Sequence, residues 1–232
     1  MSRHLTILTG ASRGMGLAMA QQLLQPTDTL LCISRSEAPA LQGAADTAGC
    51  TLLQWQHDLA DGAGAAERLR EWLQRKSLDD FGSATLINNA GVLPRIAPLS
   101  DSDADELTKA LRVGLEAPML LTSAFLGETE HWLVPRKVLN ISSGLGRRAM
   151  ASQAAYCAAK AGMDHFTRCV ALDEAGQVNG AKVCSLAPGV IDTDMQAQLR
   201  GADAGAFADQ GAFASLHRNG QLTSPGDAAA RV

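Results

Sequence analysis

Three side chains have types and spacing suited to moving a proton on or off an oxygen: Ser143, Tyr156 and Lys160. Tyr156 is the only tyrosine of the chain; it sits four residues before Lys160 and thirteen after Ser143. Residues four apart on a helix share one face. A free tyrosine titrates near pH ~10, so work near neutrality needs about 4 kcal/mol of preference for the phenolate. A neighbouring ammonium supplies much of it. A serine hydroxyl can hold a carbonyl or alcohol oxygen at the same point. A tyrosine–lysine pair at this spacing is also an ordinary amphipathic helix face, so the rest of the chain has to decide between the two readings.

The elements that would position the trio follow from the stretch 138–160. Val138–Ile141 reads as a buried strand. Ser142 and Ser143 end it, and Gly144 and Gly146 break regular structure. Ser152 then opens an alanine-rich helix over 152–175 that carries Tyr156 and Lys160.

A second constellation lies at the N-terminus. A strand over Leu5–Thr9 runs into Gly10-Ala11-Ser12-Arg13-Gly14-Met15-Gly16, followed by a helix over Leu17–Leu24. The spacing is T-G-x-x-x-G-x-G rather than G-x-G-x-x-G, but the physics is shared. Glycines let backbone approach a pyrophosphate, and a helix N-terminus stabilises its charge. One glycine would serve a plain turn; three favour phosphate binding. The second strand, Asp28–Ser34, is followed by no carboxylate before Glu37. The acid that would bond an NAD ribose is therefore missing, and Arg35 with Arg13 could clamp a 2′-phosphate, favouring NADP.

Further strands are predicted at Cys50–Gln56, Thr85–Ile87 and Lys182–Leu186, with a helix over Gly62–Lys76. Asp58 falls at the carboxyl edge of the sheet, where such folds bind ligands. Asn88–Gly91 is small enough to let backbone approach a flat ligand. Asp101–Leu126 reads as one long helix or helix pair bent near Pro118, capped from within Ser100–Asp103. Residues 194–222 have a weak helical pattern and read as a mobile lid; the bias of 201–214 is compositional. The last residues read as a helix. Alternating strands and helices give one α/β domain over 1–232: a doubly wound Rossmann-type fold, its sheet mostly parallel, with helices on both faces.

Composition narrows the class. A net charge of −4 leaves no electrostatic footprint for nucleic acid or an anionic membrane. No run of eighteen apolar residues exists, and MSRHLTILTGAS reads as a strand rather than a signal peptide. Five scattered cysteines without a C-x-x-C pair read as small buried hydrophobes of a reducing, cytoplasmic compartment, Cys157 included. No metal site is indicated.

Taken together, these motifs resemble the short-chain dehydrogenase/reductase superfamily over nearly the whole length. The matching pieces are TGASRGMG at 9–16, Asp58-Leu59, NNAG at 88–91, Ser143, Tyr156, Lys160, and Pro188, Gly189 and Thr193. NISSGLG, AYCAAKAG, APGVIDTDMQAQLR and EAPMLLTSAFL are similar to the sepiapterin reductase and bacterial benzil reductase group. The resemblance implies that Ser143 orients a substrate carbonyl and Tyr156 acts as general acid. It implies that Lys160 bonds the nicotinamide ribose and lowers the Tyr156 pKa. Gly10, Ser12, Arg13, Gly14, Met15, Gly16 and Arg35 would hold the phosphates; Asp58 and Leu59 the adenine; Asn89, Ala90 and Gly91 the adenosine side. Pro188, Gly189, Val190, Ile191 and Thr193 would hold the nicotinamide.

Two departures stand out. Many members carry an asparagine that anchors a relay water where this chain has Gly114. The family also adds a helix and a seventh strand that would lie beyond Val232. The expected activity is NADPH-dependent reduction of a ketone or diketone. A 3-oxoacyl reductase or general alcohol dehydrogenase is the alternative within enzymes, and a dinucleotide-sensing protein without catalysis is the alternative outside them. A homodimer, or a homotetramer, through the helices at 101–126 and 152–175 is expected.

Overall fold

The computed structural model describes residues 3–77 and 79–232. Strands β1 (His4–Thr9), β2 (Thr29–Ser34), β3 (Thr51–Gln56), β4 (Ser83–Asn88), β5 (Arg136–Ile141) and β6 (Lys182–Leu186) form one sheet in the order β3-β2-β1-β4-β5-β6. Every neighbouring pair is parallel. The order reverses between β1 and β4, the point where open α/β sheets bind ligands beyond the strand carboxyl ends.

A sheet covered on both faces needs strands that are apolar on both. Ile7, Leu31, Leu86 and Val138 point to one side; they pack on Leu69 and Leu73 of α3 (Gly62–Gln74) and on Leu121 and Phe125 of α5 (Ala117–Thr129). Their sequence neighbours Leu8, Cys32 and Ile87, with Ile141, point to the other. There they meet Met15 and Met19 of α1 (Gly14–Gln22) and Leu41 of α2 (Pro39–Ala48). Proline at the start of α2 and Gly49 with a positive φ at its end punctuate a helix that the sequence reading did not contain. Among the described residues no helix is long and apolar enough to cross a membrane.

The helix or helix pair expected over 101–126 is a pair running without a gap over 104–129. Asp103 caps α4 (Ala104–Leu111), its carboxylate accepting from the Asp105 and Glu106 amides, both at 3.0 Å. A π-helical turn, Arg112–Glu116, then joins it to α5. The irregular turn thus falls just before Pro118, whose missing N–H takes one bond out of the helical ladder. Beyond β5, α6 (Ala154–Ala175) carries Tyr156 and Lys160. Two helices form within 194–222, α7 (Asp194–Arg200) and α8 (Gln210–Arg218), and α9 (Pro225–Ala229) packs on α1.

A buried polar chain holds β4, β5, α5 and α6 in register. Asn88 at the end of β4 donates to Asn140 Oδ1 (2.8 Å) and to Thr122 Oγ1 of α5 (3.1 Å). Asn140 of β5 donates to Thr167 Oγ1 of α6 (2.8 Å). Each bond lies in the interior, where an unmade one would cost about 1–3 kcal/mol. The cysteine reading is corrected in part. Cys32 and Cys50 are buried, with the Cys32 thiol pushed up to about 12 by burial, but Cys169 and Cys184 are exposed.

Candidate active site

A cleft of about 450 Å³ opens at the carboxyl edge of the sheet, across the β1–β4 reversal. Every expected catalytic and cofactor-binding residue lines it: the turn Gly10 to Gly16 (Ala11 apart), Arg35, Asp58 and Leu59, Asn89 to Gly91, Ser143, Tyr156, Lys160, and Pro188 to Thr193 (Asp192 apart). Residues up to 183 positions apart in sequence meet there because each follows the end of a strand.

On the β1 side the turn is fixed by hydrogen bonds to its own fold. Thr9 Oγ1 accepts from the amides of Asn89 (2.9 Å) and Ala90 (3.0 Å), and the Asn89 side chain donates to Thr9 O (3.0 Å) and Gly10 O (3.2 Å). Ser34 Oγ accepts from the Ala11 amide at 2.8 Å. The third glycine has a reason besides a ligand: a Cβ on Gly16 would lie 2.0 Å from the Gly10 carbonyl oxygen, so only glycine lets α1 reach β1.

Arg13 caps α1 without a side-chain hydrogen bond, and no acid stands in the first turn. The amides of Gly14, Met15 and Gly16 have no carbonyl four residues earlier within the helix to receive them, and an anion suits such an end. This uncapped turn, with the cleft beside it, fits the pyrophosphate of a dinucleotide. The reading of two cations without an acid needs a correction in space. Arg13 pairs with Asp194 at the start of α7, Nη1 to Oδ2 3.0 Å, both exposed. Arg35 stands close enough to Asp58 to lower that carboxyl's pKa. The Ala60 amide is the larger cause, at 3.0 Å, and Lys109, at 3.3 Å, also contributes. The strand end itself carries no acid, but distant segments bring two.

On the β5 side, Ser143 follows the strand and caps a 3-10 turn, Gly144–Gly146, its hydroxyl accepting from the Leu145 amide at 3.2 Å. One face of α6 presents Tyr156 and Lys160, 8% and 3% exposed. Lys160 Nζ donates to the Ile141 carbonyl at 2.7 Å and lies 5.9 Å from the Tyr156 ring centre. Burial pulls the ammonium down to about 8, with Asp164 one turn on pulling the other way. Burial also pushes the Tyr156 phenol up, opposed by the nearby Ser143 hydroxyl. The expected lowering of the phenol by Lys160 is absent from this geometry, because the ammonium is spent on Ile141.

The sequence reading missed the opposite wall. Leu93, Leu145, Met195, Leu199 and Phe213 line the cleft with Gln196. Gln198 ties α7 to the carbonyls of Leu93 and Pro94 at 3.5 and 3.3 Å. Ser152 Oγ donates to Ala206 O at 2.7 Å, and buried Phe207 stacks on Phe213. Apolar residues at α7 and α8 were the available signal, too sparse to set a face by periodicity.

Gly114 lies buried in the π-turn, packed on α6 rather than in a regular helix interior. A Cβ there would lie 3.0 Å from Ala159 Cβ. The absent relay side chain is thus matched by a close helix approach beside Lys160.

A family model described as short chain dehydrogenase matches residues 4–204. A benzil reductase ((S)-benzoin forming) of Bacillus cereus is 36% identical over 219 residues, 94% of this chain and 88% of that protein. A sepiapterin reductase of Xenopus laevis is 32% identical over 204 residues, 82% of this chain and 74% of that protein. A solved metagenomic short-chain oxidoreductase in complex with NADP is 28% identical, with a TM-score of 0.70 over 81% of this chain and 82% of that one. The glycine turn, the serine–tyrosine–lysine set and the strand order carry the same conclusion: the chain belongs to the short-chain dehydrogenase family, similar within it to the benzil and sepiapterin reductases.

Proposed function

We propose that this protein is an NADPH-dependent reductase of a ketone or diketone. The observation that carries the reading is one cleft holding Ser143, Tyr156 and Lys160 at one end and the uncapped glycine turn at the other. NADPH, bound there, supplies the hydride. Arg35 would favour its 2′-phosphate, joined by Arg13 once that side chain leaves Asp194, with Asp58 and Leu59 at the adenine and Asn89 to Gly91 along the adenosine. Pro188 to Thr193 hold the nicotinamide end.

Ser143 donates a hydrogen bond to the carbonyl oxygen and sets its position. Tyr156 gives that oxygen its proton as the carbonyl carbon becomes tetrahedral, so carbonyl plus hydride plus proton yields the alcohol. The buried phenol, pushed up rather than down, is protonated at neutral pH and thus ready as an acid. Lys160, pulled down to about 8, still carries its charge near pH ~7, and turned from Ile141 it would favour the phenolate left behind. Turned from Ile141 toward the ribose, its ammonium would hold the cofactor as well. Leu111, Met119 and Leu172 are exposed on the helices expected to form a homodimer.

NADPH oxidation by the purified protein against diketones, sepiapterin and acyl thioesters tests this. Turnover of diketones is expected. Turnover of thioesters alone would replace the reading with a 3-oxoacyl reductase.

A further inference from the structure

Asp164 is a buried acid to which the proposed reaction gives no part. It stands on α6 one turn beyond Lys160, with 2% of its surface exposed. Neither carboxylate oxygen has a hydrogen-bond partner among the described residues. The catalytic segments surround it. A Cβ on Gly146 would lie 2.9 Å from Asp164 Oδ2 and 2.9 Å from the Lys160 carbonyl oxygen, so glycine lets the turn that Ser143 caps sit on the acid. The next residue, Arg147, brings Nε to 3.5 Å from Oδ2. Arg168 Nε donates to the Asp164 backbone carbonyl at 3.2 Å. A carboxylate at this depth is costly, and a well-packed apolar side chain would fill the same space without that cost.

The charge has a target on its own helix face, Lys160, four residues back. β5 offers this lysine the Ile141 carbonyl at 2.7 Å, and a Cβ on Gly91, after β4, would lie 3.8 Å from its Nζ. The π-turn offers Gly114 beside Ala159. None of these groups is charged. Tyr156 is the other ionisable side chain beside Lys160, and Arg147 and Arg168 are the cations beside Asp164. We propose that Asp164 is a positioning residue for the catalytic set: its charge, seated beneath the Ser143 turn, keeps Lys160 an ammonium while the ketone is reduced. This rests on the carbonyl reductase reading and deepens it. Burial pulls Lys160 down to about 8 and Asp164 opposes the pull. With a neutral residue at 164 burial is unopposed, and Lys160 loses its proton at a lower pH. The reaction needs the ammonium, so kcat falls as pH rises through that point.

The test is kcat for NADPH-dependent reduction of 1-phenyl-1,2-propanedione, followed from about pH 6 to about pH 10. The unaltered protein should lose rate above about pH 8. Asp164→Asn, which keeps the shape, should begin the fall earlier. Its kcat should be within about threefold of the unaltered protein at pH ~6 and about tenfold below it at pH ~9, the effect of one pH unit of displacement. Its affinity for NADPH at pH ~6 should be unchanged within about threefold. Asp164→Ser, smaller and also uncharged, should show the same displacement, and serves where the amide variant does not fold. Arg147→Met keeps the acid and removes its exposed cation, so its fall should begin no earlier than in the unaltered protein. A loss in Asp164→Asn that is equal at pH ~6 and pH ~9 would assign the residue to packing alone and overturn the proposal. A kcat of the unaltered protein that stays flat to about pH 10 would overturn it too. So would an early fall in Arg147→Met, which would trace the displacement to the turn and not to the acid. Dione turnover by the unaltered protein keeps the reductase reading standing in those cases; no turnover at any pH would sink both.

Discussion

Gly114 and Ala159 bring the π-turn and α6 so close that a Cβ on Gly114 would lie 3.0 Å from that of Ala159, next to Lys160 in sequence. Asparagine at this position is therefore an overpacking change. Gly114→Asn should destabilise by about 1–3 kcal/mol, lowering the melting temperature by about 2–10 °C for a chain of this size. Turnover should fall with it. The added change Ala159→Gly should restore part of the loss, a coupling expected of residues in contact. Full stability of the single Gly114→Asn variant would show that the approach is not tight.

Cofactor choice is tested at Arg35. Asp58 is held by the Ala60 amide and by Lys109, and Arg35 makes no ion pair among the described residues, leaving its guanidinium available to a 2′-phosphate. Arg35→Ala should raise the Michaelis constant for NADPH about tenfold and leave that for NADH within about twofold, since one charge-assisted bond is at stake. An equal loss with both cofactors would remove Arg35 from phosphate recognition.

The buried ammonium of Lys160 makes a stability prediction with a definite sign. Its pKa is about 8 in the folded chain against 10.5 for an ordinary lysine. Below about 8 both states are charged and the fold carries the full desolvation penalty. Between about 8 and 10.5 the unfolded chain binds more protons, so stability rises with pH as that penalty is relieved. The Tyr156 phenol, raised from 10.0, opposes this only above that value. Lys160→Met should therefore gain on the unaltered protein at about pH 7 and lose that advantage at about pH 10. Urea midpoints measured at both values check it; the same difference at each would contradict it.

The sequence made legible what depends on short, chemically distinctive spacings. TGASRGMG after a strand, Tyr156 four before Lys160, and the strand ends at Asp58, Asn89 and Pro188 all reached one cleft. What escaped depends on contacts between distant segments. Helix α2 is short and only partly apolar, with two buried residues among ten. The π-turn before Pro118 places Gly114 against Ala159, a contact between segments that no local pattern shows. Asp194 reaches Arg13 across 181 positions, so an ion pair replaced what read as a free cation. The wall of α7 and α8 owes its position to Gln198 and Ser152, each bonding a distant carbonyl.

The central claim is that Tyr156 is the proton donor to a substrate carbonyl. Its only oxygen is the phenol, and phenylalanine keeps the buried ring. Steady-state NADPH oxidation with a diketone, run on the unaltered protein and on Tyr156→Phe, tests it directly. The variant should lose at least ~100-fold in kcat, the lower range for general acid catalysis, while binding NADPH with affinity unchanged within about threefold. Turnover by Tyr156→Phe within tenfold of the unaltered protein would contradict the account.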